Sequence, residues 1–296
     1  MTIRVFTSFS GCDSQCLALN RLAADNAQFS YELVGWSEID RFAIQAHNAL
    51  FPQWADRNYG DISKIDWAQV PDFDLFTYSS PCQDFSQAGL QRGGEKGSGT
   101  RSSLLWECER AIAAKRPKYL LMENVAALVQ SKFIRLFNRW QLTLESYGYK
   151  NFAQVLNAKH YGVPQNRERI FMVSILDESA HYEFPKPFPL TRRIKDVLET
   201  NVDERYYLKD ARLEGFDGKR ISNHQWGIVK QPNEISNAIT SCDMKDPQKV
   251  QEPIVLGWSR SSEGKGEVVN RHPVYVANCV TSAKRDNTQN YIVEPK

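Results

Sequence analysis

A chain of 296 residues, 42% hydrophobic and 24% charged, is long enough to bury the core of one large or two medium domains. No apolar run approaches the ~20 residues of a membrane span, and the N-terminal MTIRVFTSFSG lacks the apolar stretch of a secretory signal, so the expected setting is cytoplasmic with no membrane partner. A net charge of +2 excludes a surface built throughout to coat nucleic acid, yet permits a local basic cleft.

Taken in chain order, the first 180 residues alternate between strand and helix signals. IRVFTSF (3–9) predicts a strand, followed by a helix from Ser14 to about Ala24. ELVGWSEI (32–39) is the second strand, with a helical pattern over Arg41–Leu50, and DLFTYSS (74–80) is the third strand. SSLLWECERAIAAKR (102–116) reads as a helix with Ser102 as its cap, leading into KYLLMENV (118–125), an apolar run of buried-strand type. FIRLFNRWQLTLESYGY (133–149) is helical again, and FAQVLNA (152–158) and RIFMVSIL (169–176) end the series as strands. This alternation predicts an α/β fold of Rossmann-like character, a mostly parallel sheet with helices on both faces. Ligands in such sheets sit beyond the carboxyl ends of the strands. Three prolines between Phe184 and Pro189 mark the expected boundary between a domain over 1–183 and a smaller, irregular one over 184–296.

The carboxyl ends of these strands carry the candidate chemistry. Cys82, in Ser80-Pro81-Cys82-Gln83, stands on a proline-stiffened turn just past the third strand; it is either a nucleophile or an incidental buried thiol. The six cysteines form no C-x-x-C pair, which points to free thiols and away from a metal site. Glu123, in Met122-Glu123-Asn124-Val125, can hydrogen-bond or protonate a substrate ring, or serve as a helix cap. Arg167 and Arg169, in Gln165-Asn166-Arg167-Glu168-Arg169, can grip phosphate or orient a carboxylate, or lie on an exposed strand edge. Gly11, in Phe9-Ser10-Gly11-Cys12, permits a tight turn with close backbone approach to a ligand. Glu38 and Asp61 stand where ribose and adenine could be bound, and each could equally be a cap.

In order, these pieces resemble the cytosine carbon-5 methyltransferase family. FSGCDSQCLAL is similar to its first motif, SEID to its second and GDI to its third. SPCQDFSQAG resembles the nucleophile motif and GTRSSLL the one after it; ENV and QNRERIF match the next two. The resemblance implies a DNA (cytosine-5-)-methyltransferase that uses S-adenosylmethionine and no metal, acts on double-stranded DNA, and serves restriction–modification or a related role. It implies that Cys82 adds to carbon 6 of a flipped cytosine, that Glu123 contacts the ring, and that Arg167 and Arg169 order the nucleophile loop and the target nucleotide. For the donor it implies Phe9 and Gly11 on the methionine side, Glu38 on the ribose and Ile39 against the adenine. Asp61 and Ile62 would hold the adenine edge, and Pro81 and Leu104 would complete the pocket. Residues 1–183 are then the catalytic domain and 184–296 the target-recognition domain.

Three departures accompany the resemblance. Asp13 and Ser14 stand where the first motif commonly has glycine, and Ile39 replaces an aromatic residue. The family's last motif is expected to be missing after Gly266–Thr281. The alternative that follows is an impaired or split-enzyme subunit that binds DNA and needs a complementary fragment, and weak donor binding is expected of the chain alone.

Overall fold

A computed structural model describes residues 2–81, 104–198, 229–230, 233–237, 249–251, 258–260, 266–268 and 274–276. Over these residues the chain divides into two compact units, Met1–Leu156 with Glu168–Lys186 in the first and Asn157–Arg167 with Pro187–Thr281 in the second. The units interleave along the chain, whereas the proline-rich stretch suggests two consecutive blocks: the segment 157–167 clusters with the residues beyond 187.

The first unit follows the strand–helix alternation closely. Its elements are β1 (Thr2–Ser8), α1 (Ser14–Asp25), β2 (Ser30–Ser37), α2 (Arg41–Leu50), β3 (Leu75–Tyr78), α3 (Leu105–Lys115), β4 (Tyr119–Val125), α4 (Ile134–Ser146) and β5 (Lys150–Asn157). After the two-residue strand β6 (Gln165–Asn166), which belongs to the second unit, the first unit resumes with β7 (Glu168–Ile175). Six strands form one sheet in the order β2-β1-β3-β4-β7-β5. The strands β2, β1, β3 and β4 run parallel, and β7 enters antiparallel to β4 with Glu123 opposite Phe171 and Val125 opposite Arg169.

Successive residues of β1 point to opposite faces, and both faces are covered. Val5 packs with Cys16, Leu33, Trp36 and Phe51 under α1 and α2. Phe6 enters the larger core on the other face, with Phe76, Tyr78, Leu105, Ile112, Met122 and Trp140. This explains why β1 is buried without interruption over Val5–Ser8, whereas β4 alternates between half-buried and buried residues. In α4 the buried residues Leu136, Phe137, Trp140 and Leu144 follow a helical stripe. The Trp140 indole N–H donates to the Tyr78 hydroxyl at 3.2 Å, so both buried polar tips are paired.

The pairing of β1 with β2 contains a one-residue shift: Val5 lies opposite Leu33, but Phe6 lies opposite Gly35. Gly35 is required there, because a Cβ would come within 2.6 Å of Phe6 and 2.7 Å of Tyr59.

Among the described residues, the second unit contains short strands and the 3-10 turns Ala158–Tyr161 and Ile194–Val197. β6 pairs in parallel with β9 (Ser236–Asn237). β8 (Val229–Lys230) and β13 (Val274–Val276) flank β10 (Lys249–Gln251), and β11 (Trp258–Arg260) pairs antiparallel with β12 (Gly266–Val268). Among the described residues no helix is long and apolar enough to cross a membrane.

Candidate active site

The carboxyl ends of β1 and β2 are joined by hydrogen bonds around Glu38. Its Oε2 accepts from the Gly11 N–H at 3.0 Å, and its Oε1 accepts from the N–H groups of Ile39 (2.7 Å) and Asp40 (2.9 Å). Asn58 braces the same place. Its Oδ1 accepts from Glu38 N–H (3.2 Å) and Gly60 N–H (2.9 Å), and its Nδ2 donates to the Glu38 carbonyl (3.2 Å). The Ser37 hydroxyl donates to the Gly60 carbonyl at 2.7 Å. Three consecutive segments, 9–13, 37–40 and 58–62, are thus tied together at the strand ends. Asn58 carries no motif signal, and sequence reasoning missed it.

The turn after β1 has an unusual backbone. Phe9 (φ 55), Gly11 (φ 59) and Asp13 (φ 61) all adopt positive φ within five residues. At Gly11 a Cβ would meet nothing within 4 Å, so the space beside its backbone is open. Ile39, just past β2, is 71% exposed, more than any other large apolar side chain among the described residues. Among the described residues, the buried hydroxyls of Ser8 and Ser10, at and just past the end of β1, have no hydrogen-bond partner. Asp61 caps the short 3-10 turn Ile62–Lys64: its Oδ1 accepts from the Ser63 N–H (3.0 Å) and hydroxyl (2.8 Å). The Ser63 hydroxyl bond is the main influence holding the Asp61 carboxyl below its ordinary range. Ile62 is buried in the larger core, while Phe9 packs half-buried against it; Pro81 and Leu104 are half-buried.

At the ends of β3 and β4 a second junction forms. The Asn124 side chain, 1% exposed, donates from Nδ2 to the Ser80 carbonyl (3.2 Å) and to the Ser80 hydroxyl (3.3 Å), and its Oδ1 accepts from the Val125 N–H (2.9 Å). Ser80 and Asn124 are both buried, so this bond lies in a low-dielectric setting where an unmade partner is costly. The neighbouring Glu123 points to the other side of β4, its side chain 27% exposed, with Oε1 3.1 Å from Arg169 Nε on β7. The antiparallel register places Arg169 opposite Val125, which brings the guanidinium beside Glu123 on the same sheet face. Asn124, which sits between the residues singled out from the sequence, extends the pairing of β3 and β4 beyond their ladder by a side-chain bond to Ser80.

Of the four residues expected at the reacting base, the structure brings Glu123 and Arg169 together. Arg167 falls in the second unit, where its N–H donates to Asn157 Oδ1 at 3.2 Å and its carbonyl accepts from the Ala158 N–H at 3.0 Å. Cys82 lies outside the described residues, as do Ser102 and most of GTRSSLL. The described thiols are Cys12, Cys16 and Cys108. Burial pushes each of them up, with Asp13 adding to the effect at Cys12 and Cys16 and Glu107 at Cys108. None of the three is poised as a nucleophile. Among the described residues no three His, Cys, Asp or Glu side chains gather in a way that could hold a metal ion.

Comparison with known proteins adds a second line of argument to this geometry. Residues 3–292 match the family model described as C-5 cytosine-specific DNA methylase. The chain is 40% identical to the type II methyltransferase M2.ScrFI of Lactococcus lactis subsp. cremoris, over 71% of each protein. It is 33% identical to the type II methyltransferase M.NlaX of Neisseria lactamica, over 78% of this chain and 74% of that one. With the orphan methyltransferase M.SssI of Spiroplasma monobiae it shares 45% identity over 55% of this chain and 43% of the relative. Among solved structures, the Entamoeba histolytica methyltransferase EhMeth superposes with a TM-score of 0.67 at 16% identity, covering 93% of this chain and 83% of that one. The S. pombe Dnmt2 methyltransferase gives a TM-score of 0.61 at 20% identity, over 85% of this chain and 76% of that one. At these identities the structures speak for the fold, and the family match and curated relatives speak for the chemistry. The chain belongs to the C-5 cytosine-specific DNA methylase family, and with it to the DNA (cytosine-5-)-methyltransferases.

Proposed function

We propose that the chain methylates carbon 5 of a cytosine flipped out of duplex DNA, through a transient bond between Cys82 Sγ and carbon 6 of the ring. Carbon 5 of cytosine is a poor nucleophile until a thiolate adds at carbon 6 and pushes electron density onto it. Stacked in a duplex the base is out of reach, hence the need for extrusion. The single observation that supports this reading best is the buried Asn124–Ser80 clamp. It couples the strand end that carries Glu123 to the residue two positions before Cys82.

In this reading Glu123 hydrogen-bonds the ring nitrogen and exocyclic amine, and Arg169, 3.1 Å away, holds the carboxyl in its orientation. Arg167 acts on the nucleophile loop and the target nucleotide. After transfer a base takes the proton from carbon 5, the carbon–sulfur bond breaks and its electron pair returns to sulfur, regenerating the thiolate. S-adenosylmethionine, on which this family depends, supplies an electrophilic methyl group when bound. The ends of β1 and β2 fit such a donor in three respects: the open backbone at Gly11, the exposed Ile39 and the unpartnered Ser10 hydroxyl. Phe9 and Gly11 would then border the methionine part, Glu38 the ribose, and Ile39, Asp61 and Ile62 the adenine, with Pro81 and Leu104 closing the pocket. Residues 184–296, rich in Lys, Arg, Asn and Gln up to about 265, would read the DNA through phosphate and base-edge contacts.

Trapping tests the covalent step. Duplex DNA in which 5-fluorocytosine replaces the target cytosine is incubated with the full chain and tritiated S-adenosylmethionine. The fluorine cannot leave as a proton does, so a labelled adduct that survives denaturation is expected, and a Cys82→Ser variant should form none. Methyl transfer to ordinary DNA by the Cys82→Ser variant would refute the mechanism.

A further inference from the structure

Asp13 stands at the N-terminus of α1 with φ 61 and ψ 57, a left-handed conformation that most side chains avoid. Its side chain is fully buried. Oδ1 accepts from the Cys16 N–H at 3.3 Å, which is ordinary capping. The other oxygen does more than capping requires. Oδ2 accepts from the Thr7 hydroxyl on β1 at 2.8 Å and lies 3.5 Å from Nε2 of His47 on α2. The His47 ring is also fully buried, its Nε2 has no hydrogen-bond partner, and it stacks on Trp36 with centroids 3.7 Å apart. One carboxyl group therefore gathers contacts from β1, α1 and α2, directly behind the turn whose other end is tied to Glu38 through the Gly11 N–H.

Two non-glycine residues at positive φ in one five-residue turn, Phe9 and Asp13, need surroundings that hold them there. We propose that Asp13, held by the Thr7 hydroxyl and packed against the His47 ring, is a positioning residue that fixes the turn Phe9–Asp13 in the shape that receives the methyl donor. This rests on the reading of that turn as the donor site. Asp13 touches no reacting atom; it acts through the backbone of Gly11 and Phe9. Its side chain supplies from behind the rigidity that a freely rotating backbone at this position would lack.

The test uses the full chain and two readouts: the Kd of S-adenosylhomocysteine by calorimetry, and methyl-transfer kinetics with donor concentration varied. Asp13→Gly keeps the left-handed backbone and removes the anchor. It should raise Kd and donor KM about tenfold, the scale of losing one hydrogen bond to a buried charged group, with kcat at saturating donor nearly unchanged. Thr7→Val leaves the cap intact, removes one contact, and should give a smaller loss of the same kind. Asp13→Asn, whose Oδ1 can still accept from the Cys16 N–H and whose Nδ2 can donate to the Thr7 hydroxyl, should restore most of the binding. Unchanged donor affinity in Asp13→Gly and Thr7→Val overturns the proposal, as does a common loss of kcat and stability with Kd unmoved. Glu38→Gln serves as the control for the site itself. If Glu38→Gln weakens binding and the Asp13 variants do not, only the positioning role fails; if the wild-type chain takes up no S-adenosylhomocysteine, the donor-site reading fails and the positioning role with it.

Discussion

Replacing Asn124 by Ala removes the side-chain bond between the carboxyl ends of β3 and β4 without touching Glu123. The amide makes three contacts, two donated to Ser80 and one accepted from the Val125 N–H. Its loss leaves the Ser80 carbonyl and the Val125 N–H without these partners in a region where Asn124 is 1% exposed and Ser80 is 3% exposed. Each buried group left unmade costs about 1–3 kcal/mol, so a total of about 3 kcal/mol is expected. Ser80→Ala deletes only the hydroxyl and should cost about 1 kcal/mol. In the double variant the two costs should fall short of their sum, because both report on one contact. Asn124→Asp places an acceptor where a donor faced the Ser80 carbonyl. In the folded chain its carboxyl would be held above the ordinary range, so this variant should regain stability as pH falls and the group protonates. Urea unfolding of the full chain, followed by tryptophan fluorescence, measures these differences, and methyl transfer at saturating donor measures the consequence for Cys82. A misplaced nucleophile can lower kcat by about 10²-fold. Were Asn124→Ala to unfold within about 0.5 kcal/mol of wild type, the level of a surface change, with kcat intact, the reasoning that Asn124 anchors the nucleophile strand would be wrong.

Gly35→Ala forces a methyl group within 2.6 Å of Phe6 and should cost about 1–3 kcal/mol; a neutral result in the same unfolding assay would mean that the two rings move aside freely. Glu123→Gln keeps the shape of the side chain but removes its charge next to Arg169. It should lower kcat by about 10²-fold or more while leaving S-adenosylhomocysteine binding unchanged, and a parallel loss of donor affinity would contradict the division of the site. Cys16 and Cys108, their thiols pushed up chiefly by burial, should resist iodoacetamide in the native chain at pH 8. Mass spectrometry of the labelled chain reads this out, and modification of either at the rate of a free thiol would show that its helix opens.

The departure at Asp13 shows how sequence and structure divide the information. Read as a motif, Asp13 is a poor substitute for glycine. In the fold the same residue keeps the left-handed backbone and adds contacts to Thr7, Cys16 and His47. The alternatives weighed for Asp61 resolve in a similar way: its Oδ1 is engaged as a cap. Asn124 stands in the ENV motif and Asn58 in none, yet neither role is legible in the sequence, because a bridging amide has no periodicity and its partner lies tens of residues away.

The sequence by itself determined the order and type of the elements in the first unit. Apolar spacing is a local property, and β1 through β7 alternate with helices largely where that spacing puts them. It also determined the family, because the ordered motifs from FSGCDS to QNRERIF are carried by consecutive residues. Only the tertiary structure decided that β7 inserts antiparallel beside β4, that Arg169 thereby meets Glu123, that residues 157–167 cluster with the second unit, and that His47 reaches Asp13 from a different helix. Those outcomes depend on which surfaces pack together across long stretches of chain, and no window of neighbouring residues contains that choice.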